Sequence, residues 1–275
     1  MTEARTAAAE ATAGAPGAER IAAAFAGHGK RSALMPYLMG GYPSIDVSRV
    51  AGEAAVDAGA DLIELGVPFS DPLADGPVIH AAGTDALAAG VTPADVLDVC
   101  ESLAARVPVV LMVYANIVLV DGPERFARRA ADAGAAGLIV PDMPQDEAAG
   151  VRAACDAAGI ALVPLVAPSS TPERVAEIGR RARGFVYAVS LAGTTGERAE
   201  LPPDLSGLVE RVRAATSVPV AVGFGISTAA QAASVGELAD GVIVGSRVVR
   251  AAGEGGAEAV AAVVAELAAA LAPGA

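Results

Sequence analysis

From about residue 33 onward the chain repeats one alternation. A short run of bulky, mostly β-branched residues gives way to a turn of Gly, Pro or Asp, and the turn to an Ala-rich stretch with apolar positions at helical spacing. Eight runs read as strands: ALMPYLM, DLIEL, VPVVLMV, AGLIV, IALVPLV, GFVYAVS, VPVAVGF and GVIVGS. Between them lie amphipathic segments such as DVSRVAGEAAVDAGA, PADVLDVCESLAARV, GPERFARRAADAGA and TPERVAEIGRRA. Several open on Thr-Pro, Ser or Asp and close on Ala-Gly. That pattern sets a polar acceptor on the free N–H groups of a helix start and a permissive residue at its end. Eight strands alternating with helices predict parallel β-α-β units, and eight such units close into a (β/α)8 TIM barrel. An open, doubly wound sheet is the rival. No Gly-x-Gly-x-x-Gly follows the first strand, which weakens the dinucleotide-binding form of that rival. Residues 1–17 are rich in Ala, Thr and Gly and are expected to form a mobile tail. Residues 18–273 then form one catalytic domain, closed by a helix that ends before Pro273.

Composition narrows the chemistry. A chain of 275 residues suits a single barrel. Although 53% of it is hydrophobic, much of that is Ala in helical patterns, and no apolar run reaches the roughly 18 residues of a membrane span. The net charge of −13, with no basic stripe, argues against a nucleic-acid partner, because neutralising phosphates with Lys and Arg supplies most of that affinity. The N-terminus lacks the basic start and apolar core of a secretory signal. Cys100 and Cys155 lack metal-site spacing; they read as buried apolar residues of a protein in a reducing cytoplasm. The single lysine, Lys30, precedes the first strand, so an imine-forming lysine at a strand end is not available. The two histidines, His28 and His80, fall in the entry segment and in a loop, which speaks against a zinc site.

In a barrel, chemistry gathers at the carbonyl ends of the strands. Alternation along DLIELGV puts Leu62 and Glu64 on one face and Ile63 and Leu65 on the other. A carboxylate on an otherwise apolar strand either points into the barrel mouth or is paired by backbone donors. Burial there would raise its pKa and suit it to acid/base work. Asp75 follows in the loop PFSDPLADGP, where Pro72 reduces the freedom of the chain. Asp71 and Asp75 have an alternative reading as ordinary turn residues. GFGIST (223–228) after the seventh run and VGSRVV (244–249) after the eighth have the composition of a phosphate cradle. Glycines there admit close backbone approach, helix-start N–H groups face the anion, and Ser227 or Ser246 adds a hydroxyl. GTTG (193–196), in the long loop after the sixth run, could close over the same anion. Arg247 reads as a helix-surface residue. Tyr37, Met112, Ile139, Tyr187 and Phe224, at or near strand ends, suggest an apolar slot for a flat aromatic ligand, although each alone reads equally as core.

The segment LIELGVPFSDPLADGPVIHAAGTDALAAG resembles the signature of the tryptophan synthase alpha-subunit family. LMVYANIV, GLIVPDMP, VSLAGTTGER, GFGIS and VGSRVV follow in the family's order, and the likeness covers roughly residues 20–272. The resemblance implies a TIM-barrel lyase that cleaves indole-3-glycerol phosphate to indole and glyceraldehyde 3-phosphate without metal or imine. It implies that Glu64 is the acid/base group and that Asp75 accepts the indole N–H, with Tyr187 beside them. Phosphate would rest on Gly196, Gly225, Gly245 and Ser246. It implies no cofactor on this chain. Pyridoxal phosphate belongs to a partner beta subunit of an α2β2 tetramer, with Asp71, Pro72 and Asp142 on the partner-facing side and Thr195 in loop closure. Some positions depart from the pattern: Met39 stands in MGGYP where a Thr-x-Gly-Asp-Pro is frequent, Leu191 where some members carry Arg, and Thr194 where Val is common. A stand-alone indole-releasing lyase, or an alpha-like chain that mainly activates a beta subunit, are the alternatives. A phosphoribosyl isomerase would be expected to place acidic residues after the first and fifth strands, where LMGGYP and PLVAPSS have none.

Overall fold

The computed structural model describes residues 16–189, 204–223 and 225–274. In chain order these form α1 (Gly17–Gly27), β1 (Ala33–Met39), α2 (Ile45–Asp57), β2 (Ile63–Gly66), α3 (Pro77–Ala88), α4 (Pro93–Ala104), β3 (Val109–Met112), α5 (Ala115–Asp121), α6 (Pro123–Asp132), β4 (Gly137–Ile139) and α7 (Ala149–Ala158). There follow β5 (Ala161–Leu162), β6 (Leu165–Val166), α8 (Pro172–Arg181), β7 (Val186–Val189), α9 (Leu205–Ala215), β8 (Val220–Gly223), α10 (Ala229–Leu238), β9 (Gly241–Val244) and α11 (Ser246–Ala270). The strands are parallel, in the order β5-β4-β3-β2-β1-β9-β8-β7-β6, as a TIM barrel requires.

Where the sequence predicts a single fifth strand, IALVPLV, there are two short ones. Pro164 has no N–H to give to a ladder, so the strand breaks beside it. The barrel still closes through the break. Val163 N–H donates to Leu138 O on one side at 2.8 Å, and Pro164 O accepts from Tyr187 N–H on the other at 2.9 Å. β5 and β6 are thus two halves of one barrel strand, the first paired with β4 and the second with β7.

The Thr-Pro starts behave as capping chemistry demands. Thr92 and Asp95 form a reciprocal capping box at α4, and Thr171 accepts from the Arg174 N–H at α8. Three helices are absent from the periodic reading: α1, α3 and α5. The first matters for the barrel. Gly17 opens α1, so the helix starts at the last residue assigned to the tail. Ile21 and Phe25 of α1 pack with Met35, Phe185, Ala221 and Ile243 in the barrel interior and so floor it. Phe25 and Phe185 meet with centroids 5.6 Å apart. The period-2 alternation holds: Leu62 lies in this interior cluster, while Ile63 and Leu65 join the larger one between the strands and the surrounding helices.

Candidate active site

β2 carries Glu64 as the second residue of a four-residue strand, in register with Tyr37 of β1 and Val110 of β3. The side chain is 1% exposed, and its Oε1 has no hydrogen-bond partner among the described residues. An ionised carboxylate there would lack both water and donors, which is costly. Burial first, and the neighbouring Asp75 charge second, push its pKa up to about 8. Asp75 is less enclosed. Burial raises it to about 6, against the opposing pull of a hydrogen bond from Tyr114 and the nearby His80. At neutral pH the arrangement holds Glu64 protonated and Asp75 ionised. Two like groups have been separated into an acid and an anion by their surroundings.

Both carboxylates line a cavity of about 240 Å³ at the carbonyl ends of the strands. Its wall includes Tyr37, Met112 and Tyr187, as the sequence suggests. Ile139 does not line it; Ile139 is fully buried with the barrel interior, below the cavity wall. Phe224 lies outside the described residues. Leu165, Ile226 and Ile243, which the motif reading leaves unnamed, supply further apolar wall.

The two tyrosines are seated alike. A Cβ at Gly66 would stand 2.0 Å from the Tyr37 hydroxyl, and one at Gly223 would stand 2.2 Å from that of Tyr187. Each phenol therefore depends on a glycine at the end of the adjoining strand. Burial and the two carboxylates hold both phenols well above their ordinary range, so both stay neutral. Met39, the departure after the first strand, is buried, with its sulfur 4.0 Å from the Tyr37 hydroxyl.

The anion-binding candidates converge on the same cavity. Gly225, with φ at 71°, Gly245 and Ser246 all line it. Gly245 is the N-cap of α11 and carries no side-chain cap, so the helix start is open to an anion from the cavity. Of the two serines, Ser246 fits and Ser227 does not. Ser227 is committed to Gln231, with its N–H at 2.8 Å and its hydroxyl at 3.1 Å from Oε1. Arg247 pairs with Glu266 further along α11 and is a surface residue, as expected. Gly196, Thr195, Thr194 and Leu191 lie outside the described residues.

Of the partner-facing candidates, Asp71 is exposed and accepts from the Ser70 hydroxyl at 2.6 Å, and Pro72 is half-buried. Asp142 is exposed and accepts the Ala115 N–H at 2.8 Å, which fixes the start of α5. Exposed Leu73 lies between Pro72 and Asp75 in the same loop, and exposed Leu119 and Val120 lie on α5. Among the described residues no group of three or more His, Cys, Asp or Glu could hold a metal ion. The residue that motif reasoning missed is Tyr114. It stood in the quoted LMVYANIV, and an aromatic two residues past a barrel strand was the available signal.

A parallel barrel with an acid and an anion facing an open helix N-terminus defines a lyase- or isomerase-type site for a phosphorylated small molecule. The family model described as tryptophan synthase alpha chain matches residues 24–272. A relative of that name from Synechococcus sp. (strain CC9902) is 48% identical over 80% of this chain and 83% of its own. One from Methanosarcina acetivorans is 48% identical over 82% and 83%. A solved structure of Mycobacterium tuberculosis tryptophan synthase superposes with a TM-score of 0.88 at 44% identity, covering 93% of this chain and 99% of the other. The chain belongs to the tryptophan synthase alpha-chain family.

Proposed function

We propose that Glu64, Asp75 and Tyr187 carry the family's reaction here, with Gly225, Gly245, Ser246 and Gly196 holding the phosphate. The reaction itself is that of a lyase of tryptophan biosynthesis: indole-3-glycerol phosphate gives indole and glyceraldehyde 3-phosphate. The observation that carries the assignment is the buried Glu64 carboxyl, whose Oε1 has no partner among the described residues, with a more acidic Asp75 in the same cavity.

The chemistry balances with these groups alone. Protonated Glu64 delivers its proton to ring C3, and positive charge develops on the indole. The Asp75 carboxylate accepts the ring N–H and stabilises that charge. Glu64, now an anion, takes the proton of the side-chain hydroxyl next to C3. The carbon–carbon bond breaks, its electron pair restores the indole, and the hydroxyl carbon becomes the aldehyde. Glu64 ends as it began, and no water is consumed. Tyr187 walls the ring beside Glu64, as do Tyr37 and Met112, with Phe224 completing the slot.

The family assignment implies a beta-subunit partner. The finer reading is an α2β2 tetramer, in which Asp71, Pro72 and Asp142 face the partner and Thr195 takes part in closure. Exposed Leu73, Leu119 and Val120 beside these residues support an apolar contact there. Pyridoxal phosphate then sits on the beta subunit. We read residues 18–273 as one catalytic domain. No helix among the described residues is long and apolar enough to cross a membrane, and the two buried free cysteines support a cytoplasmic setting. Indole release, measured with the chain alone and with a beta subunit added, is expected to rise with the partner. Equal release in both would mean a stand-alone lyase, and none in either would discard the site assignment.

A further inference from the structure

Tyr114 touches the catalytic loop in three ways, and the reaction as written gives it no part. It follows β3 by two residues, is 3% exposed, and is the N-cap residue of α5. Its ring stacks on Phe69, in the loop after β2, with centroids 5.1 Å apart and planes 23° apart. Its hydroxyl oxygen accepts the Ala74 N–H at 3.1 Å. Its O–H also acts on the Asp75 carboxylate, favouring the charged form. A phenol has one proton to donate and lone pairs to accept with, so one hydroxyl can serve consecutive residues of one loop. The backbone that carries the ring is held as well, because the next residue's N–H, that of Ala115, donates to Asp142 at 2.8 Å.

We propose that Tyr114 is a positioning residue for Asp75: it ties the proline-stiffened loop to the barrel wall and holds the carboxylate toward the ring N–H of the substrate. The loop needs such a tie. Residues 67–76 have no helix or strand of their own, and prolines restrict φ without fixing where a side chain points. A donor on the carboxylate favours its charged form and restricts its rotation. The other ionisable groups that bear on Asp75 are Glu64 on β2, His80 on α3, Tyr37 on β1 and Tyr187 on β7. Of these, His80 favours the carboxylate's charge, while Glu64 is held protonated. Asp142 bears on Tyr114 itself. The inference rests on the reading of Asp75 as the acceptor of the indole N–H.

The test is Tyr114→Phe in the full chain, which keeps the ring and its stacking on Phe69. The kcat for indole release near neutral pH is expected to fall about tenfold with little change in KM, the size of one charge-assisted hydrogen bond made in the transition state. The Asp75 titration midpoint, followed by carbon NMR of carboxyl-labelled aspartate, is expected to move upward by about one pH unit. An unmoved midpoint overturns the proposal, whether or not kcat falls, since a fall alone would mark a merely structural role. Asp75→Asn is measured alongside. If it keeps full turnover, the reading of Asp75 fails and takes this inference with it. If Asp75→Asn is inactive while Tyr114→Phe matches the parent in kcat and midpoint, the Tyr114 inference fails alone.

Discussion

Asp61 and Glu64 stand three residues apart on one stretch of chain, and both are buried, at 4% and 1% exposure. Their surroundings are opposite. Asp61, just before β2, meets the ammonium of Lys30 at 2.6 Å and accepts the Leu34 N–H at 2.8 Å. Lys30 also donates to Gly59 O at 3.0 Å. The chain's single lysine thus joins the entry segment to the foot of β2, where both oxygens of Asp61 have partners. Glu64, further up the same strand, has no cation paired with it among the described residues, and its Oε1 has no donor among them. A structural carboxylate is satisfied where it sits. A carboxylate meant to pass a proton is left able to hold one, and the cost of burying it is what tunes it.

The comparison breaks or holds on two substitutions. Glu64→Gln is expected to lower turnover by about three orders of magnitude, the contribution of a placed acid/base group. Binding of a phosphorylated ligand, followed by calorimetry, should be largely kept. A mutant with near-normal turnover would return Glu64 to the structural class. Lys30→Met should do the reverse. It strands Asp61 as a buried carboxylate without its cation, and breaking such a pair costs about 3–5 kcal/mol, read from urea unfolding. Turnover per folded molecule should stay close to the parent's. If Lys30→Met abolished turnover in protein that was still folded, the division of labour between the two carboxylates would be wrong.

Some of this was legible in the sequence, for reasons that can be named. The period-2 alternation in DLIELGV puts Glu64 on the interior face, because the strand is covered on both sides and only one residue in it is charged. The glycines of GFGIST and VGSRVV point to Gly225 and Gly245, and both line the cavity. What escaped depends on contacts between distant segments. Lys30 and Asp61 are 31 residues apart, and nothing local announces the pair. The break at Pro164 was visible as a proline, but that the barrel closes across it follows from hydrogen bonds on both flanks. Helix α1 owes its place to Ile21 and Phe25 finding the barrel floor. Ile139 sits one layer too deep for the cavity, a difference that residue type cannot express, since apolar residues line both the slot and the layer beneath it. Composition alone leaves Ser227 and Ser246 open; the family resemblance favours Ser246, and the hold of Gln231 on Ser227 gives a physical reason for it.

The smallest expected effect is also the most direct probe of what separates the two carboxylates. Glu64 has an ordinary value of 4.5 and a folded value of about 8. Below pH 4.5 the folded and unfolded chains both carry this proton, and burial of the neutral group exacts no electrostatic penalty. Between 4.5 and 8 the unfolded chain has released the proton and the folded chain still holds it, so stability falls as pH rises. Above 8 the loss is complete and constant. Asp75, raised from 3.8 to about 6, adds a change of the same sign at lower pH, but it is present in both proteins being compared. Glu64→Gln removes the titration and leaves a neutral group of similar shape. The melting temperature of Glu64→Gln relative to the parent should therefore climb between pH 5 and 8, by on the order of 5 °C, and then level off. The inactive variant becomes the more stable one as the solution grows more basic, because the parent keeps a proton the reaction needs and pays in stability to keep it. A difference that stays flat across that range would mean Glu64 is already ionised in the free protein, and that the two carboxylates of this stretch of chain differ in their partners but not in their charge.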